Sequence, residues 1–103
     1  MTVNEAPLYT RPVRERDVEG YLVKRVEALG GEVRKLKWIG RRGAPDRLVM
    51  LPGRSFFVET KKPGEDAEKH QHKEHKVMRA AGLRVVIIDS IDSVDEVLNE
   101  CRD

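Results

Sequence analysis

The stretch Pro45-Asp46-Arg47-Leu48-Val49-Met50-Leu51-Pro52-Gly53-Arg54-Ser55-Phe56-Phe57-Val58-Glu59-Thr60-Lys61 reads as two strands and a tight turn. Arg47–Leu51 is short and apolar, Pro52-Gly53-Arg54 turns the chain, and Ser55–Lys61 returns, so a hairpin is expected. Side chains alternate across a strand. Phe57, Glu59 and Lys61 therefore leave one face, while Phe56, Val58 and Thr60 leave the other, with Thr60 pointing away from Glu59. A carboxylate and an ammonium thus stand together at the end of an otherwise apolar strand. Asp46 lies where the chain enters the neighbouring strand, and pairing of the two strands brings it toward Glu59 across the ladder.

Upstream of the hairpin, Val18, Leu22, Val26 and Leu29 recur at helical spacing, which predicts a helix from about Arg16 to Leu29. Asp17 is its N-cap or first-turn acid, and Gly30-Gly31 ends it. Val33–Ile39 reads as a strand, followed by the loop Gly40-Arg41-Arg42-Gly43-Ala44-Pro45. Downstream, Pro63-Gly64 breaks the chain. A helix is expected from Asp66 to about Ala81, polar in its first half and apolar at Val77, Met78 and Ala81. Leu83–Asp89 is a run of β-branched residues suited to a strand covered on both faces. A final short helix, capped by Asp92 or Ser93, would turn Val94, Val97, Leu98 and Cys101 inward. The order is α-β-β-β-α-β-α, an α/β chain with a strand-helix-strand crossover from Ser55 to Asp89. Residues 1–13, with Pro7 and Pro12 and no periodicity, read as a flexible arm, and residues 14–103 as one domain.

The 103 residues suffice for a single modest core. No apolar stretch nears the ~20 residues of a membrane helix. The N-terminus has no apolar segment of the secretory kind, so a cytoplasmic location, in a bacterium or a phage-infected cell, is expected. The single Cys101 excludes an intramolecular disulfide and a multi-cysteine zinc site. The net charge of +2 hides a gradient, because residues 11–47 are strongly basic and residues 83–103 are acidic. A basic front half suits contact with a polyanion, although a solvated charged surface gives the same composition.

Two close carboxylates repel unless a cation holds them. Oxygen ligands suit Mg2+ or Mn2+, which keep several waters. A lysine beside such a centre can orient or deprotonate an attacking water or stabilise developing phosphorane charge. Asp46, Glu59 and Lys61 therefore carry the equipment for phosphodiester hydrolysis. On spacing alone, a cross-strand ion pair accounts for the same residues.

The order of landmarks goes further. Between Arg14 and Leu98 the sequence resembles the virus-type replication-repair nuclease (VRR-NUC) family of the PD-(D/E)XK nuclease superfamily. The resemblance is carried by Glu19 on the first helix, Gly30-Gly31, Gly43-Ala44-Pro45-Asp46, Phe57-Val58-Glu59-Thr60-Lys61, Gln71, Ala81-Gly82 and Val85-Val86-Ile87-Ile88. It implies a restriction-endonuclease-like core, αβββαβ(α), with a mixed central sheet flanked by helices. It further implies that Asp46 and Glu59 ligate the metal with the Thr60 carbonyl. Lys61 would be the catalytic lysine. Glu19 would reach the metal directly or through water, with Glu15 as the alternative helix-borne acid. Gln71 would brace the lysine, a metal-bound water or the phosphate. The activity implied is a Mg2+- or Mn2+-dependent endodeoxyribonuclease acting on branched DNA. Stand-alone members of the family are associated with four-way junction resolution, whose paired cuts suit a homodimer. A non-catalytic nucleic-acid-binding or partner-binding module is the contrasting reading, and action on flaps or RNA is left open.

Around the hairpin, Arg41, Arg42, Arg47, Lys35, Lys37 and Lys62 are the candidate phosphate contacts. Trp38 could stack on a base, but a core or subunit contact is the stronger expectation. His70, His72 and His75 lack further ligands for a zinc site, and a solvated helix face is expected for them.

Overall fold

The computed structural model describes residues 12–101. The arm expected over residues 1–13 falls, through residue 11, outside the described residues. Three helices and four strands follow in the order α1 (Glu15–Ala28), β1 (Glu32–Lys35), β2 (Arg47–Leu51), β3 (Arg54–Thr60), α2 (Lys69–Ala80), β4 (Val85–Ile88) and α3 (Ile91–Glu100).

The strands form one mixed sheet in the order β1-β2-β3-β4. β2 and β3 are the antiparallel hairpin, in a register that sets Arg47 opposite Val58 and Val49 opposite Phe56. β1 adds antiparallel to β2. β4 adds parallel to β3, with Thr60 opposite Ile88. Parallel pairing needs a crossover, and α2 supplies it.

Strand alternation builds the core. Val49, Phe56, Val58 and Ile88 share one cluster with Val18, Leu22 and Val26 of α1 and Val94 and Leu98 of α3. All nine are buried, each contributing roughly 1.5–3 kcal/mol of transfer free energy. α1 and α3 are also tied by polar contacts, since Tyr21 Oη donates to Asp95 Oδ1 at 2.6 Å and Arg25 pairs with the same carboxylate. The α2 face of the sheet takes the opposite strand parity. There Glu59, Val85 and Met78 are buried along with Glu74 and His75 of α2.

β3 and β4 run Arg54–Thr60 and Val85–Ile88 rather than Ser55–Lys61 and Leu83–Asp89, and three further boundaries differ for a visible reason. β1 stops at Lys35 rather than Ile39. The Leu36 amide still donates to the Asp46 carbonyl at 2.9 Å, and then the chain turns. Trp38 Nε1 donates to the Pro45 carbonyl at 2.8 Å, and its ring lies 5.8 Å from Phe57. Trp38 thus braces the Pro45-Asp46 loop, while Ile39 stands 96% exposed. α2 begins at Lys69, not Asp66, because Gln71 Oε1 accepts from the Glu68 amide at 2.7 Å and fixes the start there. α3 is capped by Ser90, whose Oγ accepts from the Ser93 amide at 3.0 Å.

Candidate active site

The site forms at one end of the β2-β3 hairpin. One step beyond the Arg47–Val58 pair, the register sets Asp46 opposite Glu59. Asp46 is locked in place. Its Oδ1 accepts from the Thr60 amide at 3.1 Å, and its Oδ2 accepts from Thr60 Oγ1 at 3.0 Å and Arg47 Nη1 at 3.2 Å.

Thr60 differs from expectation. Its side chain does leave the α1 face of the sheet, as alternation requires. At the strand end the two faces meet, however, so its buried hydroxyl joins Asp46 and also lies 3.2 Å from Glu15 Oε2. Thr60 belongs to the site rather than facing away from it.

Glu59 occupies the α2 face and is 5% exposed. Burial, followed by the Asp46 charge, pushes its carboxyl up to about 7, with Glu15 adding to the rise and Lys61 and Arg47 opposing it. Gln71 Nε2 donates to Glu59 Oε2 at 3.2 Å. Glu59 Oε1 is buried and has no hydrogen-bond partner among the described residues. Gln71 therefore braces the Glu59 carboxylate, while its own carbonyl anchors the start of α2. Half-buried Lys61 follows β3, and its amide donates to the Ile88 carbonyl at 2.9 Å. The strand end that carries the amine is thereby fixed to β4.

The two helix-borne acids separate. Glu19 Oε2 accepts from Arg47 Nε at 2.6 Å and also pairs with Nη2. Arg47 shares strand parity with Val49, so it turns inward to a position only 7% exposed, away from the surface expected of a phosphate contact. Glu19 is committed to that arginine, whereas Glu15 approaches the Thr60-Asp46 pair. Arg41 also has a protein partner, donating through Nε to Glu74 Oε1 at 2.9 Å. That contact holds Glu74 below the ordinary carboxylate range. Lys35, Lys37, Arg42 and Lys62 are exposed around the site.

His75 departs furthest from its sequence reading. It is 0% exposed, with Nε2 at 3.7 Å from Glu59 Oε1, and neither ring nitrogen has a hydrogen-bond partner among the described residues. Burial, followed by Arg79, lowers its pKa, so the ring is neutral at pH 7. His72 and His70 lie outside the sheet interface, beside Asp66 and Glu68 respectively. The spacing Gln71, His75, Met78 marks one helix stripe, and that stripe was the available signal for His75.

Among the described residues, no three acid, imidazole or thiol side chains gather to hold a metal ion. The oxygen donors still fit a hard cation. Mg2+ characteristically uses one or two carboxylates and fills its remaining positions with water and substrate phosphate. Asp46 and Glu59 are the carboxylates that would supply that pair, and Glu59 Oε1 is a buried acceptor without a partner among the described residues.

A mixed sheet whose central hairpin ends in an aspartate opposite Glu-x-Lys is the arrangement expected of the PD-(D/E)XK nuclease class. Comparison with known proteins narrows the class. No family model matches the sequence. "Putative nuclease p44" of Acyrthosiphon pisum secondary endosymbiont phage 1 is 46% identical over 83 residues, 80% of this chain and 89% of that protein. A solved structure described as a VRR_NUC domain superposes with a TM-score of 0.77 at 43% identity, covering 84% of this chain and 96% of its own. The chain belongs to the VRR-NUC family.

Proposed function

We propose that this protein is a divalent-metal-dependent endodeoxyribonuclease that cuts branched DNA and resolves four-way junctions as a homodimer. The observation that carries the hydrolytic reading is Glu59. Its carboxylate is buried, raised to about 7 and left with one oxygen unpartnered, opposite a second carboxylate and next to a lysine. A purely structural ion-pair cluster would satisfy that oxygen. The contrasting reading, a non-catalytic binding module, draws only on the protein partners of Asp46.

Asp46 and Glu59 would hold Mg2+ or Mn2+, with the Thr60 carbonyl as a third oxygen. When bound, the cation supplies charge neutralisation at the scissile phosphate and a more acidic water. Gln71 fixes the Glu59 carboxylate, and Arg47 and Thr60 fix Asp46. Lys61 Nζ orients the attacking water and donates to the charge developing on the phosphate oxygens. Glu15, which meets Asp46 at the Thr60 hydroxyl and is not held by an arginine as Glu19 is, accepts a hydrogen bond from that water. Lys35, Lys37, Arg42 and Lys62 contact the flanking phosphates, and Arg41 does so when released from Glu74. Junction preference is supported by the paired cuts that two-fold symmetry provides.

The test is a panel of junction, flap, splayed and linear DNA with Mg2+ or Mn2+, together with Lys61→Ala and Asp46→Ala. The proposal expects paired cuts in the junction, a dimer in solution, and losses of about a hundredfold or more in both variants. Undiminished cleavage in both variants overturns the hydrolytic assignment. Cleavage of flaps by a monomer that spares junctions overturns the resolvase assignment alone.

A further inference from the structure

α2 turns two side chains toward Glu59. Gln71 and His75 are four residues apart, so they stand one above the other on the same helix face. Gln71 Nε2 donates to Oε2 of the carboxylate at 3.2 Å, and His75 Nε2 lies 3.7 Å from its Oε1. Both Oε1 and the imidazole are buried without hydrogen-bond partners among the described residues. Two such groups left facing each other are costly. The gap is wider than a direct bond, which ends near ~3.2 Å, yet within reach of a charge-dipole contact.

We propose that His75 is a positioning residue which, with Gln71, clamps both oxygens of Glu59 and aims the carboxylate toward the cation. The ring serves as donor through Nε2–H, the nitrogen that faces the carboxylate. Outer partners of this kind orient a ligand without touching the metal. The proposal rests on the reading of Glu59 as a metal ligand.

The test uses the full chain with Mn2+ alone, with binding followed by calorimetry in His75→Leu and His75→Gln. Glutamine carries an Nε2 donor of similar reach, whereas leucine carries none. His75→Leu should weaken Mn2+ binding about tenfold to a hundredfold, and His75→Gln should recover all but about threefold, with cooperative melting in both. Wild-type affinity in His75→Leu overturns the clamp, as does His75→Gln binding as weakly as His75→Leu. A second arm needs no metal. In the 15N-labelled chain, the His75 ring should be protonated at Nε2, and its signal should move in Glu59→Gln. An Nδ1-protonated ring, or one indifferent to Glu59→Gln, overturns the proposal. Should the wild-type chain take up no Mn2+, the metal reading of Glu59 falls, and the imidazole spectrum alone judges the contact.

Discussion

Thr60 Oγ1 donates to Asp46 Oδ2 across 3.0 Å, while the Thr60 amide reaches Oδ1 at 3.1 Å. One residue of β3 thus grips both oxygens of the acid at the start of β2. Thr60→Val keeps the shape and the amide but removes the hydroxyl. It should cost about 1.5–3 kcal/mol, the value of a hydrogen bond to a charged group. DNA cleavage should fall less than in Asp46→Ala. Chemical denaturation and single-turnover cleavage check both parts.

Arg47 offers a sharper stability test. Its guanidinium is buried between Glu19 and Asp46. Arg47→Met leaves two carboxylates without their cation and should destabilise by about 2–4 kcal/mol, below the fully buried limit because Glu19 keeps partial exposure. Adding Glu19→Gln should recover part of the loss. A double-mutant cycle in urea measures the coupling.

Acidity sets the third expectation. The Glu59 carboxyl is raised from 4.5 to about 7 in the folded protein. Between those values the folded state holds a proton that the unfolded chain releases. Stability of the metal-free protein should therefore fall as pH rises through that window. Glu59→Gln should flatten the dependence, and added Mg2+ should restore stability at the alkaline end. Melting temperatures at pH 5, 6, 7 and 8 (a span chosen to bracket the titration) read this directly.

Gly43 tests the loop. It adopts φ +86, and a Cβ there would stand 2.6 Å from the His70 backbone oxygen. Gly43→Ala should cost about 1–2 kcal/mol for the left-handed backbone, plus the displacement needed to relieve the clash. Because the same loop delivers Asp46, cleavage should fall as well. Gly53→Ala has a comparable φ and open space around the added carbon, so it controls for the backbone effect alone.

Much of this arrangement was legible in period-two spacing. Glu59 and Phe57 share a face because they are two apart, and Pro52-Gly53 sets the hairpin that brings Asp46 across from Glu59. The mixed sheet and its helices follow from the same pattern. Spacing within an element does not reveal where two faces converge, so spacing alone turns the Thr60 side chain, though not its carbonyl, away from the site. Nor does it reveal which acid an arginine will claim. Glu19 and Glu15 lie one helical turn apart, and only the inward turn of Arg47 separates their roles. His75 was hidden by composition, because a helix opening Lys-His-Gln-His-Lys looks solvated until Met78 is used to phase it.

The Lys61 amide is hydrogen-bonded to Ile88, a strand partner that joins the sheet only after α2 has crossed over. An assembly intermediate with the hairpin formed but the fourth strand undocked would carry its acids and its amine on an unsecured end. The strand end that bears Asp46's partner and the amine is thus secured by contacts that lie far apart along the chain, and the last of them is made by the parallel strand.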